Sequence, residues 1–262
     1  MQIAEFDNLA LNWRQDGNPE GRPVVFANSL GTDFRLWDAV LPLLPTSLRY
    51  IRMDKRGHGL SSVPDGPYSI DDLAGDVAQL LDRLEVKDVF FIGLSIGGLI
   101  AQKLAYTRPD LCHSMVLSNT AAKIGTPELW NTRIDAINEG GIEVISEPTM
   151  ERWFAPEFRA TPDCLAWKHM LERTHTQGYV SCCEAIADAD LREEAASLTL
   201  PTYGICGSDD GATPPELTKS TLDLIAGSQF HIIDGTGHLP CVEKPQDYAA
   251  LITKFLKESG FV

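Results

Sequence analysis

The chain has 262 residues, 44% of them hydrophobic, and carries 37 acidic and 22 basic side chains. This composition suffices for one large core and excludes disordered and fibrous classes, and the net charge of -15 makes nucleic acid and anionic membranes poor partners. Six cysteines without CxxC spacing exclude a disulfide scaffold or zinc site, and the absence of a signal-peptide pattern predicts a cytoplasmic protein.

Short β-rich runs alternate with helical stretches along most of the chain. The first two runs surround Asp7-Asn8 and predict an opening hairpin. Strands separated by helices predict an α/β fold, with a mostly parallel eight-stranded sheet covered on both faces. The predicted strands are residues 3–6, 9–13, 24–28, 49–54, 88–92, 114–118, 202–206 and 230–233.

Helical spacing of apolar residues predicts the elements between these strands. The clearest helix begins at Ser69, which has the residue type of an N-cap, with Asp71 and Asp72 favourably placed in the first turn. The helices predicted around the strands are residues 36–44, 69–84, 96–107 and 246–258.

Residues 121–197 interrupt the alternation of strands and helices. They show four candidate helices, residues 130–138, 141–154, 162–174 and 179–187, and no convincing strand. We interpret this region as a helical cap inserted between the two parts of a core, residues 1–120 and 198–262. Sites in open α/β sheets lie at the carboxyl ends of the strands, so a cap inserted there would shape the pocket. The alternative is a set of packing helices without a functional role.

Residues 93–97 read Gly-Leu-Ser-Ile-Gly and lie between a predicted strand and a predicted helix. This is the setting in which a GxSxG motif holds a nucleophilic serine on a sharp turn. Small residues two positions before and after the serine are needed because neighbouring chains approach the turn closely. The motif predicts that Ser95 is the nucleophile of an enzyme that cleaves an ester-type bond.

A serine nucleophile needs a base, and the base needs an acid to orient it. His238 follows the last predicted strand and is the predicted base, whereas His113 and His231 lie in or beside strands. The acid should follow the strand 202–206, where Asp209 and Asp210 are adjacent candidates. Physical reasoning from the sequence does not choose between these two aspartates.

An oxyanion hole needs two backbone N–H donors. One donor is expected from Ile96, the residue after the nucleophile. The other is expected from the loop that follows the strand 24–28, which reads Asn-Ser-Leu-Gly over residues 28–31, with Leu30 as the predicted donor.

Four segments of this sequence resemble the α/β-hydrolase superfamily. Residues 54–61 match its D-x-R-G-x-G-x-S segment, residues 207–215 match G-x-x-D-x-x-T-P-P, and residues 237–245 match G-H-x-P-x-x-E-x-P. Residues 28–32, Asn-Ser-Leu-Gly-Thr, stand where many members have His-Gly-x-Gly. With the Thr-Pro-Pro of residues 213–215 they look most like the 3-oxoadipate enol-lactonases. The resemblance aligns Asp210, not Asp209, with the motif aspartate.

The resemblance implies a lactonase of the β-ketoadipate pathway of aromatic catabolism, acting without a metal or organic cofactor. Its substrate would be a small anionic enol-lactone, for which an acidic protein should supply a local arginine. Residues 130–133 resemble the W-x-x-R segment of these enzymes, so Arg133 is expected to bind the substrate carboxylate and Trp130 to contact the ring. Arg152, Trp153 and Lys123 are further candidates.

Several alternatives remain open at this point. Another small carboxylesterase, a carbon–carbon bond hydrolase or a cofactor-free perhydrolase would use the same fold, and a ligand receptor would have kept the fold without turnover. Water could also attack the substrate directly, with Ser95 only polarising it. The oligomeric state is not determined by the sequence.

Overall fold

A computed structural model describes residues 2–262, and an eight-stranded sheet forms its centre. The spatial order of the strands is β1-β2-β4-β3-β5-β6-β7-β8, with β1–β2 and β2–β4 antiparallel and every other pairing parallel. The predicted α/β class and strand number are therefore confirmed. The strands are β1 Gln2–Phe6, β2 Leu9–Gly17, β3 Pro23–Ala27, β4 Arg49–Met53, β5 Val89–Leu94, β6 Cys112–Ser118, β7 Thr202–Gly207 and β8 Gln229–Ile233.

Eleven α-helices accompany the sheet in this part of the chain, and none has the length and apolar composition needed to cross a bilayer. The helices are α1 Ile70–Arg83, α2 Ile96–Thr107, α3 Pro127–Gly140, α4 Ser146–Trp153, α5 Pro156–Arg159, α6 Asp163–Glu172, α7 Thr176–Asp188, α8 Arg192–Ser197, α9 Pro215–Leu222, α10 Pro240–Glu243 and α11 Pro245–Glu258.

The middle of the sheet is covered by helices. Every residue of β5 is buried, in agreement with the near-continuous apolar runs of parallel strands. Helix α11 packs on the sheet through Phe255, whose ring centroid lies 5.5 Å from that of Phe90 in β5 and 4.8 Å from that of Tyr203 in β7. Burial of this apolar surface is the main source of stability for the fold.

The predicted start of α1 is confirmed by a reciprocal capping box. The Ser69 hydroxyl accepts from the Asp72 backbone N–H at 3.1 Å, and the Asp72 carboxylate accepts from the Ser69 N–H at 2.9 Å. Two N–H groups that a helix start leaves unpaired are satisfied in this way.

The predicted helix at residues 36–44 is wrong. Two short 3-10 turns, Phe34–Trp37 and Leu41–Leu43, lie there instead. Pro42 has no N–H to donate, and a proline disfavours helical backbone in the preceding residue, so Pro42 and Pro45 together prevent a continuous α-helix. Leu36 and Trp37 are nevertheless buried, which explains their apolar pattern.

Between β6 and β7 the described chain forms α3 to α8 and a 3-10 turn, Ile142–Ile145, without a strand. The predicted helix at residues 141–154 is divided into that turn and α4, and α5 and α8 were not predicted. The division into a core and a cap with limits at 121 and 197 stays a prediction.

Helix α7 lies against the loop after β4, where two glycines touch. A Cβ added to Gly178 would overlap the carbonyl oxygen and Cα of Gly57. We expect Gly178→Ala to lower the free energy of unfolding by about 1–3 kcal/mol, the usual cost of overpacking.

Urea denaturation measures this change, and Gly75→Ala in α1 is the matched control because no atom lies within 4 Å of a Cβ there. That control should raise the free energy of unfolding by up to about 1 kcal/mol, since alanine is the better helix former. Equal stability of the two variants would contradict the close contact.

Candidate active site

The nucleophile candidate lies on a sharp turn between β5 and α2. Ser95 has φ 60° and ψ -120°, a backbone conformation that non-glycine residues adopt only where the surroundings impose it. A Cβ at Gly97 would overlap the carbonyl oxygen of Ala27 in β3, and one at Gly93 would overlap that of Gly97. The small residues of the motif are therefore required by packing.

The structure brings Asp210 and His238 together from loops that follow β7 and β8. His238 Nδ1 lies 3.0 Å from Oδ1 and 2.9 Å from Oδ2 of Asp210, and both side chains are buried. Because a carboxylate only accepts, Nδ1 carries the proton and Nε2 is left as the acceptor. No hydrogen bond joins this ring to the Ser95 hydroxyl among residues 2–262, and such bonds are often long before substrate binds.

The aspartate beside the acid candidate has a different environment. Asp209 is exposed, and within residues 2–262 its carboxylate accepts only from the hydroxyl of Ser208, at 2.8 Å. Of the two aspartates that the sequence left open, the structure therefore places Asp210 against His238.

A network of donors surrounds the Asp210 carboxylate. Its Oδ1 accepts from the backbone N–H groups of Ala212 and Thr213 at 2.8 and 2.9 Å, and its Oδ2 accepts from Asn119 Nδ2 at 2.9 Å. Burial by itself would raise the pKa of Asp210, but the charge of His238 and these donors outweigh burial and hold that pKa below its ordinary value. Asp210 therefore stays ionised at neutral pH.

Two residues of this site were missed by the sequence analysis. Asn119 follows β6 with φ 49°, a region that asparagine tolerates better than most residues, and its position after a strand was the available signal. Glu243 Oε1 accepts from the Gly237 N–H at 2.6 Å and Oε2 from the Ala155 N–H at 3.0 Å. Burial raises the pKa of Glu243 to about 7.

The two N–H groups predicted to form the oxyanion hole donate to no other group in the described part of the chain. They belong to Leu30, in the loop after β3, and to Ile96, the first residue of α2. The neighbouring N–H of Gly31 is already bound to His58 Nε2 at 3.0 Å. The predicted oxyanion donors are thus available, and the dipole of α2 favours negative charge near Ile96.

Arg133 in α3 is half-buried and has no carboxylate partner among the residues described. It donates to the Tyr179 hydroxyl at 2.6 Å and to Thr149 Oγ1 at 2.8 Å. Arg152 in α4 lies next to it, with Nη2 3.4 Å from the same Thr149 oxygen. Burial and the charge of Arg133 lower the pKa of Arg152.

Trp130 is 9% exposed, and its Nε1 donates to the Ile124 carbonyl at 2.7 Å. The remaining candidate cation, Lys123, pairs with Asp190 at 3.0 Å. Lys123 therefore has a carboxylate partner, whereas the two arginines have none among the described residues.

The end of α4 is bonded to the loops that hold the acid and the base. The His238 N–H donates to the Trp153 carbonyl at 2.8 Å, and the Gly211 N–H donates to the Arg152 carbonyl at 3.2 Å. The pair of arginines is therefore attached to the same local structure as Asp210 and His238.

Comparison with known proteins agrees with this fold. Residues 24–251 match the alpha/beta hydrolase family. The chain is 34% identical over 252 residues to 3-oxoadipate enol-lactonase 2 of Acinetobacter baylyi, covering 95% of this chain and 94% of that protein. It is 36% identical over 246 residues to 3-oxoadipate enol-lactonase 1 of the same organism, covering 93% and 92%.

Among solved structures, the chain is similar to the enol-lactonase from Burkholderia xenovorans. The TM-score is 0.94 at 33% identity, covering 98% of this chain and all of that one. The similarity extends through the region between β6 and β7 as well as through the sheet.

Proposed function

This chain belongs to the alpha/beta hydrolase family, and we propose that it is a carboxylic ester hydrolase that opens 3-oxoadipate enol-lactone. Ser95 is the nucleophile, His238 the base and Asp210 the acid, with the oxyanion held by the N–H groups of Leu30 and Ile96. The product is 3-oxoadipate, formed in the cytoplasm during the breakdown of aromatic compounds.

The observation that carries this proposal is a pair of arginines for which the described part of the chain offers no carboxylate partner. In a protein of net charge -15, two half-buried guanidinium groups, Arg133 and Arg152, donate to the hydroxyl of Thr149 in α4, and the end of this helix is bonded to the loops that hold Asp210 and His238. Such groups fit an anion, since guanidinium binds carboxylate through two parallel hydrogen bonds. An ester that also carries a carboxylate fits this site, because Ser95 can attack the ester and the two arginines can bind the carboxylate.

Acylation begins when His238 Nε2 removes the hydroxyl proton of Ser95, and Oγ attacks the lactone carbonyl. The negative charge that develops on the carbonyl oxygen is stabilised by the two N–H donors, and Asp210 stabilises the imidazolium. The ring C–O bond then breaks, and the imidazolium of His238 gives its proton to the departing enol oxygen, which returns the ring to its neutral form.

Deacylation follows because the enol tautomerises to a ketone and no longer competes as a nucleophile. His238 activates a water molecule, which attacks the acyl-Ser95 ester and releases the second carboxylate. None of these steps needs a metal or an organic cofactor.

The test is turnover of the enol-lactone by the purified protein, compared with p-nitrophenyl acetate as an ester without charge. We expect kcat/KM to favour the anionic lactone. Fast hydrolysis of the uncharged ester without activity on the lactone would refute the substrate and leave a general esterase.

Replacing Arg133 by alanine is expected to weaken binding of the anionic lactone. Loss of charge-assisted hydrogen bonds to the carboxylate costs about 1.5–3 kcal/mol, so KM for the lactone should rise about 10- to 100-fold. The value of kcat should change little, because the carboxylate lies away from the reacting bond. Steady-state kinetics on the lactone and on p-nitrophenyl acetate measure the difference.

The control is Arg159→Ala, which removes an exposed arginine in α5 and should leave both constants unchanged. The role of Arg133 would be refuted by an unchanged KM for the lactone, or by an equal loss on the uncharged ester.

A further inference from the structure

Lys55 is a buried cation whose partners are backbone carbonyls. It is 6% exposed, and it has no ion pair within the described residues. Its Nζ donates to the carbonyl oxygens of Ser29 at 2.7 Å and Thr32 at 3.3 Å. Burying an ammonium group without a bonded carboxylate costs free energy, which indicates that the charge of Lys55 serves a function.

The carbonyl that Lys55 binds belongs to the same peptide group as the N–H of Leu30. In a trans peptide the C=O and N–H bonds point in opposite directions, so fixing the oxygen also fixes the direction of the hydrogen. The Ser29 oxygen accepts a second hydrogen bond from Thr32 Oγ1 at 2.9 Å. Donors on a carbonyl oxygen polarise the peptide group and strengthen its N–H as a donor.

His58 acts on the next peptide group of this loop. Its Nε2 accepts the Gly31 N–H, so the N–H of Leu30 is the one of the two that stays free among the described residues. Burial, together with the charge of Lys55, holds the pKa of His58 well below its usual range, which keeps the ring neutral and able to accept.

We propose that Lys55 is a positioning residue, which orients and polarises the Ser29–Leu30 peptide group so that its N–H binds the oxyanion formed on an ester carbonyl. This inference rests on the proposed function, because it requires acyl transfer at Ser95. It does not depend on which ester is the substrate. Lys55 contacts neither substrate nor reacting atoms and acts through Leu30.

The charge of Lys55 should make the reaction sensitive to alkaline pH. Burial lowers the pKa of Lys55 to about 8, so the ammonium is lost as the pH rises above that value. The neutral amine still donates, but it polarises the peptide less. The titratable groups around Lys55 are Asp54 and His58 of its own loop, Asp33 after β3, Asp76 of α1 and Cys182 of α7.

Two of these neighbours titrate far from pH 8, because burial and the charge of Lys55 keep His58 neutral and burial raises the pKa of the Cys182 thiol to about 12. The lysine variant decides whether a decline in kcat/KM above about pH 8 belongs to Lys55.

The test is Lys55→Met, assayed on p-nitrophenyl acetate and on the enol-lactone. Removing one oxyanion donor costs about 10²- to 10³-fold in kcat, and weakening one should cost about 10- to 100-fold. KM should change less than about threefold, and phenylboronic acid, which forms a tetrahedral adduct with a serine, should bind more weakly by a factor similar to the kcat loss. The alkaline decline of the wild type should be absent from the variant.

The matched control is Lys103→Met, which removes a lysine paired with Glu194 at 3.0 Å and should leave the rates unchanged. If Lys55→Met does not fold, Thr32→Val removes the other side-chain donor to the same carbonyl. That variant should lower kcat about three- to tenfold, as expected for loss of one neutral hydrogen bond.

The outcomes separate this inference from the proposed function. If the wild type turns over the ester and Lys55→Met has unchanged rates, only the role of Lys55 is overturned. The same holds if Lys55→Met loses kcat equally at every pH and keeps the alkaline decline. If Thr32→Val is the variant used, an unchanged kcat overturns the proposed polarisation of the Ser29–Leu30 peptide group and with it the role of Lys55. A wild type that turns over neither substrate would overturn both proposals.

Discussion

Replacing Ser95 by alanine is expected to lower kcat for the enol-lactone by at least about 10⁴-fold, the scale seen when a triad nucleophile is removed. The reason is that water must then attack without covalent assistance, although the oxyanion donors and the base remain. Alanine is expected to fit the turn because its Cβ occupies the place of the serine Cβ. Steady-state kinetics measure the loss, and the thermal unfolding temperature should stay close to that of the wild type.

The same variant separates covalent catalysis from direct attack by water. After rapid acid quenching during turnover, mass spectrometry should find the acyl group on the peptide that contains Ser95. The Ser95→Ala protein should carry no such mass. A wild-type serine without label throughout turnover, together with an alanine variant of undiminished rate, would contradict the nucleophilic role.

The second large effect is expected from Asp210→Asn. An asparagine can present its NH₂ group to His238 Nδ1, which would place the imidazole proton on Nε2 and leave the ring unable to accept from Ser95. The corresponding change in a serine protease lowers kcat about 10⁴-fold, and we expect a loss of about 10³- to 10⁴-fold here.

Asp209→Asn is the matched control for that experiment. The two residues are adjacent and undergo the same chemical change, but Asp209 is exposed and its carboxylate accepts from the Ser208 hydroxyl, not from His238. Its kcat should stay within about twofold of the wild type, as is usual for surface substitutions. A large loss in Asp209→Asn with an active Asp210→Asn would reverse the assignment of the acid.

The parts of the fold that follow local rules were predicted well. Alternation and apolar runs located all eight strands, and the capping pattern located the start of α1 at Ser69. The wrong prediction of a helix at residues 36–44 has a local cause as well, since apolar spacing alone predicts a helix there and the two prolines prevent it. The short helices α5 and α8 are too brief for a periodic pattern to reveal them.

The groups of the site that can be predicted without coordinates are those that lie on turns after strands. Strand ends and tight turns restrict residue type, so local sequence suffices to recognise such groups. Examples are the glycine-flanked serine between a strand and a helix and the histidine after the last strand. The sequence also limited the acid to Asp209 or Asp210, and on physical grounds it could go no further.

Groups whose roles depend on partners far away in the chain are distinguished by the folded structure alone. Asp210, not Asp209, lies against His238, and Asn119, 91 residues earlier, donates to Asp210. Lys55 binds a carbonyl 26 residues before it. Hydrogen bonds of this kind form where loops from different strands converge, and no sequence spacing records them. The sequence therefore predicts the nucleophile, whereas the environment that would make it reactive is set by contacts across the sheet edge.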